Sequence, residues 1–109
     1  MTRHGQVIGL APDKVAEYRR LLAAVWPAVL ARIAASNIRN YSIFLKEPEN
    51  LLFAFFEYHG TDFDADMAAI AADATTREWW ALCGPCQRPF ETRRPGEWWA
   101  EMDEVFHVD

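Results

Sequence analysis

Two runs of strand-forming residues stand back to back in the middle of this chain, Asn37 to Lys46 and Leu51 to Tyr58, joined by Glu47-Pro48-Glu49-Asn50. Apolar and β-branched runs around a tetrapeptide carrying Pro and Asn read as a β-hairpin. The second run, Leu-Leu-Phe-Ala-Phe-Phe-Glu-Tyr, is almost wholly apolar and is expected to be buried on both faces. An isolated hairpin is marginal in water, so the flanking segments must cover this one.

Helical patterns lie on either side. Val7 to Leu10 is a short apolar run closed by Ala11-Pro12-Asp13, where the proline suits the first turn of a helix. From Lys14 to about Ser36, apolar residues at Val15, Tyr18, Leu22, Val25 or Trp26, Val29 and Ile33 follow a helical repeat, with Glu17, Arg19, Arg20 and Arg32 outside. Trp26-Pro27 predicts a kink or restart. After Tyr58, His59-Gly60-Thr61 ends the strand, and Thr61 or Asp62 suits the N-cap of an Ala-rich helix running to about Asp73. A further helical piece spans about Thr75 to Leu82, with Thr75 or Thr76 as its cap. Cys83 to Gly96 reads as loop and Glu101 to Val108 as a closing strand. The order βαββαβ predicts an α+β, ferredoxin-like fold in a single domain over residues 1–109, one sheet with helices on one face. The other face of so apolar a sheet needs cover, and a homodimer packed sheet on sheet supplies it.

Composition narrows the partners. A net charge of −5 and scattered basic residues leave no electrostatic footprint for nucleic acid. The start of the chain carries no apolar run of signal-peptide length, and no stretch is long enough to span a bilayer, so a soluble, cytoplasmic protein is expected. Aromatic residues make up 14% of the chain, a surplus that points to a second burial surface, either a ligand pocket or a subunit interface.

The most conspicuous motif, Cys83-Gly84-Pro85-Cys86, matches the tetrapeptide of thioredoxin active sites. Its position argues against that chemistry. A redox thiolate sits at a helix N-terminus after an early strand, where the helix dipole lowers its pKa, whereas this motif follows a helix near the end of the chain. Two cysteines with no neighbouring histidine also make an incomplete zinc set. His4, His59 and His107 fall at strand ends or edges without motif partners. Glu57 interrupts an apolar strand, so it is paired, exposed at the strand's end, or functional. The acidic cluster Glu97, Glu101, Asp103 and Glu104 reads as a solvated rim.

Trp79 and Trp80 are adjacent in a helical stretch, so their indoles diverge by roughly 100° and cannot share one small core. One of them is expected to face a cavity, where a flat apolar face with a single N–H donor suits a sugar ring.

Read in order, Tyr18, Trp26-Pro27, Asn40-Tyr41-Ser42-Ile43, Asn50-Leu51-Leu52-Phe53-Ala54, Trp79-Trp80 and Glu104-Val105-Phe106 make the chain resemble the L-rhamnose mutarotases over almost its whole length. The resemblance implies a dimeric α/β barrel and an isomerase that interconverts the α and β anomers of a sugar without a cofactor or metal. The reaction moves a proton onto the ring oxygen and off the anomeric hydroxyl, then recloses the ring from the other face. By the same resemblance Tyr18 and Tyr41 bind substrate through their hydroxyls, and Trp79 and Trp80 stack on its apolar face. The family's proton donor is a histidine one turn after the helix-one tyrosine, and that position is Leu22 here. His107, His4, Glu57 or the tyrosines themselves must supply the proton, with His107 favoured because the last strand ends near the family's pocket. The changed position also opens the substrate to L-rhamnose or a related 6-deoxyhexose such as L-fucose. A sugar-binding relative that has lost catalysis and a cofactor-free monooxygenase or haem-degrading protein of the same barrel class are the rival readings.

Overall fold

A computed structural model describes residues 1–109. Strand β1 (Thr2–Leu10) leads through a 3-10 turn at Pro12–Lys14 into helices α1 (Val15–Leu22) and α2 (Pro27–Ala35). The hairpin β2 (Ile38–Lys46) and β3 (Leu51–Tyr58) follows, then α3 (Phe63–Ala72) and α4 (Ala74–Cys83). A second 3-10 turn at Gly84–Cys86 and two short strands, β4 (Gln87–Arg88) and β5 (Ala100–Met102), complete the regular structure. The sheet is antiparallel in the order β2-β3-β1-β4, with β5 also paired to β1. Each helix pair crosses between strands that are not neighbours, which is the ferredoxin-like arrangement with its last strand split in two.

The local chemistry explains the breaks. At Trp26 the backbone is extended (φ −61°, ψ 135°), and Pro27, which has no N–H to donate, opens α2 at its first turn. The helix therefore restarts rather than kinks. Asp62 caps α3 by accepting from the Ala65 N–H at 3.1 Å. The cap of α4 is Asp73, not Thr75 or Thr76. Its carboxylate accepts from both the N–H and the hydroxyl of Thr76, at 2.9 and 2.8 Å, and its extended backbone separates α4 from α3.

Strand register decides what each sheet face carries. Ile8 opposes Leu52, Gln6 opposes Ala54 and His4 opposes Phe56, so all six point toward the helices. Ile8 and Leu52 are fully buried there with Leu10, Tyr18, Val29, Trp79, Cys83 and Cys86. Burial of each large aliphatic side chain contributes about 1.5–3 kcal/mol. Val7, Phe53, Phe55 and Phe44 point the other way, and Phe44 is 64% exposed. Within one chain, then, β3 buries one face and leaves the other half-exposed, contrary to the expectation of burial on both faces.

The ends of the sheet also differ from the sequence reading. β1 begins at Thr2 rather than Val7, and a two-residue strand lies inside the segment read as loop. The closing strand covers Ala100–Met102 alone instead of Glu101–Val108. Met102 pairs with Gly5, so an antiparallel continuation reaches the start of β1 by about residue 105 and has nothing left to pair with. Val105, Phe106 and Val108 are consequently exposed. No helix is long and apolar enough to cross a membrane.

Candidate active site

Tyr18 lies on the inward stripe of α1, 5% exposed, with its hydroxyl over the β1–β4 end of the sheet. Leu22, one turn later on the same face, packs against the core that contains it.

Tyr41 reaches the same layer by a different device. Arg39 pairs with Glu57 and Ser42 with Phe55, so Asn40 and Tyr41 together oppose the single residue Phe56. This is a β-bulge, and Asn40 adopts the left-handed conformation (φ 52°) that asparagine tolerates well. Strict alternation from Arg39 would aim Tyr41 away from the helices. The extra residue shifts the phase, and the Tyr41 ring packs over Phe56 with centroids 5.5 Å apart.

Tyr41 and the Cys83 thiol both act on the charge of Tyr18, and Cys83 acts on Tyr41. Burial pushes Tyr18 well above the ordinary tyrosine value, while a hydrogen bond from Gln87 pulls the other way. Tyr41 is 41% exposed as a residue, yet protein surrounds its hydroxyl and that desolvation pushes its pKa up to about 12. Both groups therefore carry their protons throughout the physiological range.

Cys83, in the last turn of α4, is buried in the same core cluster as Tyr18, its pKa raised by burial to about 11. Cys83 and Cys86 are free and buried at the C-terminal end of a helix, the opposite of the electropositive setting a redox thiolate needs. Trp79 is 6% exposed and meets Trp26 edge to face, with centroids 5.2 Å apart. Trp80, 47% exposed, diverges from it and stands one turn before Cys83 on α4.

None of the remaining proton-donor candidates makes a hydrogen bond with Tyr18 or Tyr41. His107 sits in the exposed tail beyond β5, 2.9 Å from the Asp109 carboxylate, and lines a cleft of about 370 Å³ with Phe55 and Met102 of the outer sheet face. The favoured placement near the pocket required a strand to residue 108, and that strand ends at Met102. Glu57 also lies on the outer face, held well below the usual carboxylate range by hydrogen bonds from His59 and Asn40, so it carries no proton to give. His4 faces the helices at the sheet's edge, stacked on Phe56 and Phe63, with its Nε2 2.9 Å from the Thr2 hydroxyl. A second open cleft, about 390 Å³, runs along α1 past Trp26 and Trp79 and contains neither phenol.

Sequence reading missed two polar residues on the helix-facing side. Gln87, opposite Leu10, donates its amide to the Tyr18 hydroxyl at 3.3 Å and accepts the Trp98 indole N–H at 2.7 Å. Glu101, read as rim, faces inward opposite Gln6, whose amide it accepts at 2.9 Å. Register to β1 is the signal that locates Gln87 and Glu101, and the short strands β4 and β5 carry no periodic pattern that would reveal it.

An antiparallel, curled sheet under four helices defines an α+β protein of the dimeric α/β-barrel class. Two solved structures share this fold over the full chain. An L-rhamnose mutarotase from Formosa agariphila superposes with a TM-score of 0.79 at 21% identity, covering 100% of both chains. Tetracenomycin F2 cyclase from Streptomyces glaucescens superposes at 0.74 with 12% identity, covering 98% of that chain. The sequence profile described as L-rhamnose mutarotase matches residues 3–108, and the L-rhamnose mutarotase of Lactiplantibacillus plantarum is 31% identical over 109 residues, 100% of both chains. The chain belongs to the L-rhamnose mutarotase family, and it is an isomerase acting on carbohydrate.

Proposed function

We propose that this protein interconverts the α and β anomers of L-rhamnose with Tyr18 as the proton donor and no histidine in the reacting set. The observation that carries the reading is the pair of neutral phenols, Tyr18 and Tyr41, both on the helix-facing side of the sheet in a chain whose position 22 is leucine. Tyr18 gives its proton to the ring oxygen as the bond between C1 and that oxygen breaks. The proton lost by the anomeric hydroxyl returns to Tyr18 by way of Tyr41, leaving an open-chain aldehyde and two neutral phenols. Rotation about the C1–C2 bond and the reverse relay close the ring on its other face. A relay suits this site because either phenolate alone would be desolvated and costly. Trp80 offers the indole face for the sugar's apolar side, and Trp79 with Cys83 forms the wall behind it. Family membership favours L-rhamnose over L-fucose.

NMR saturation transfer between the anomeric protons of L-rhamnose is the direct test. Added protein near pH 7 is expected to speed the exchange well beyond the buffer rate, and to do less for L-fucose. No acceleration with L-rhamnose would sink the reading.

A second copy of this chain is the cover for the outer sheet face, where Val7, Phe44, Phe53, Phe55 and Met102 form one apolar surface. Phe44 at 64% and Met102 at 40% exposure are poorly placed in water. Sedimentation is expected to give twice the chain mass of 12.5 kDa, and Phe44→Glu is expected to shift it toward the single-chain value without unfolding. A wild-type chain that sediments as a monomer refutes the dimer.

A further inference from the structure

We propose that Trp98 and Gln87 act as positioning residues that fix the direction in which Tyr18 delivers its proton. This rests on the reading of Tyr18 as donor and adds the groups that make it one. An indole N–H can only donate, so the Gln87 atom 2.7 Å from Trp98 Nε1 is the carbonyl oxygen. The amide nitrogen is then the atom 3.3 Å from the Tyr18 hydroxyl, and it too can only donate. Tyr18 is therefore the acceptor in that bond, and its own single proton is left free for another acceptor. Were the amide reversed, the Tyr18 proton would be spent on Gln87.

The anchor of this chain is itself held. The Arg93 guanidinium lies 6.0 Å from the centroid of the Trp98 ring and donates to the Phe90 and Glu97 carbonyls at 2.8 and 2.9 Å. These bonds tie down the segment between β4 and β5, so that Trp98 meets Gln87 although the residue is 46% exposed. The polarity of the chain also matters for the reaction. A donor on the Tyr18 oxygen supports the negative charge that develops there as the proton leaves.

Gln87→Glu separates this role from simple packing, because the shape is kept while the polarity follows pH. At pH 7 the carboxylate still accepts from Trp98 but can only accept from Tyr18, capturing its proton. Protonated, near and below the ordinary glutamate value of about 4.3, it accepts from Trp98 and donates to Tyr18 as the amide does. The expected result at pH 7 is a kcat lower by about tenfold or more, with KM nearly unchanged and recovery toward the wild-type rate as pH falls through about 5 to 4. Wild-type kcat at pH 7, or a loss indifferent to pH, overturns the proposal. An NMR measurement free of activity checks the hydrogen-bond chain itself. In Gln87→Leu the Trp98 indole N–H is expected to move upfield and exchange faster with solvent, and an unmoved resonance also overturns it. Failure of the wild-type protein to accelerate L-rhamnose anomerisation would instead mark failure of the mutarotase reading, whatever the indole shows.

Discussion

Tyr18→Phe is expected to lower the protein-dependent exchange of L-rhamnose anomers by about 100- to 10,000-fold near pH 7, the range that a positioned proton donor supplies. The ring stays, so the packing of a residue 5% exposed among Ile8, Val29 and Trp79 is preserved. The loss of one hydrogen bond to Gln87 costs about 1 kcal/mol of stability, too little to unfold the chain. Sugar binding followed by tryptophan fluorescence should survive with modestly lower affinity, placing the defect in kcat rather than KM. The wild-type pH profile sharpens the point. Burial raises both phenols, so the proton-bearing form is present at every pH below those raised values and is lost only as pH rises through them. Activity should therefore be flat from about pH 5 to 9, without the limb near 6.5 that a histidine donor imposes. A Tyr18→Phe protein at wild-type rate, or a wild-type limb near 6.5 that disappears in His4→Gln, would move the donor role from Tyr18 to His4.

Much of this architecture was legible in the sequence because its signals are local. The hairpin announces itself through Glu47-Pro48-Glu49-Asn50, the helix restart through Trp26-Pro27, and the inward stripe of α1 through the spacing of Val15, Tyr18 and Leu22. What escaped depends on pairing between distant segments. The apolar run of β-branched and aromatic residues at Val105, Phe106 and Val108 looks like a strand, but a strand exists only while it has a neighbour, and β1 starts at Thr2. Similarly, nothing in Asn40-Tyr41 by itself says that two residues will stand opposite Phe56, although Asn40 is a residue type that accepts the required backbone. That single bulge decides whether Tyr41 faces the helices or the outer sheet surface. Gln87 and Trp98 were hidden for a related reason. They lie in a segment rich in proline and glycine, and their value arises from Tyr18 more than sixty residues away.

Leu22→His is expected to raise the L-rhamnose anomerisation rate by at least about tenfold and to give the pH profile a limb that the wild-type protein lacks. Leu22 is one turn from Tyr18 on the same face of α1, so an imidazole there would project from the face that carries the Tyr18 ring. A group with an ordinary pKa of about 6.5 is a far stronger acid near neutrality than a buried phenol, and its conjugate base is a competent proton acceptor. Proton-transfer catalysis is most efficient when the pKa lies near the working pH, which the phenol relay does not achieve. Partial burial disfavours the imidazolium, so the new limb should fall somewhat below 6.5. The protonated donor is present below that value and lost above it, whereas the neutral base behaves in the opposite sense. A rate that rises with pH across the limb would assign histidine the role of base, with Tyr18 still the acid. The change also removes apolar packing from a partly buried position, so thermal unfolding should move to lower temperature while the fold persists at 25 °C. If the variant binds L-rhamnose normally but its rate and pH profile match the wild type, position 22 does not face the reacting atoms and the ring does not open beside Tyr18.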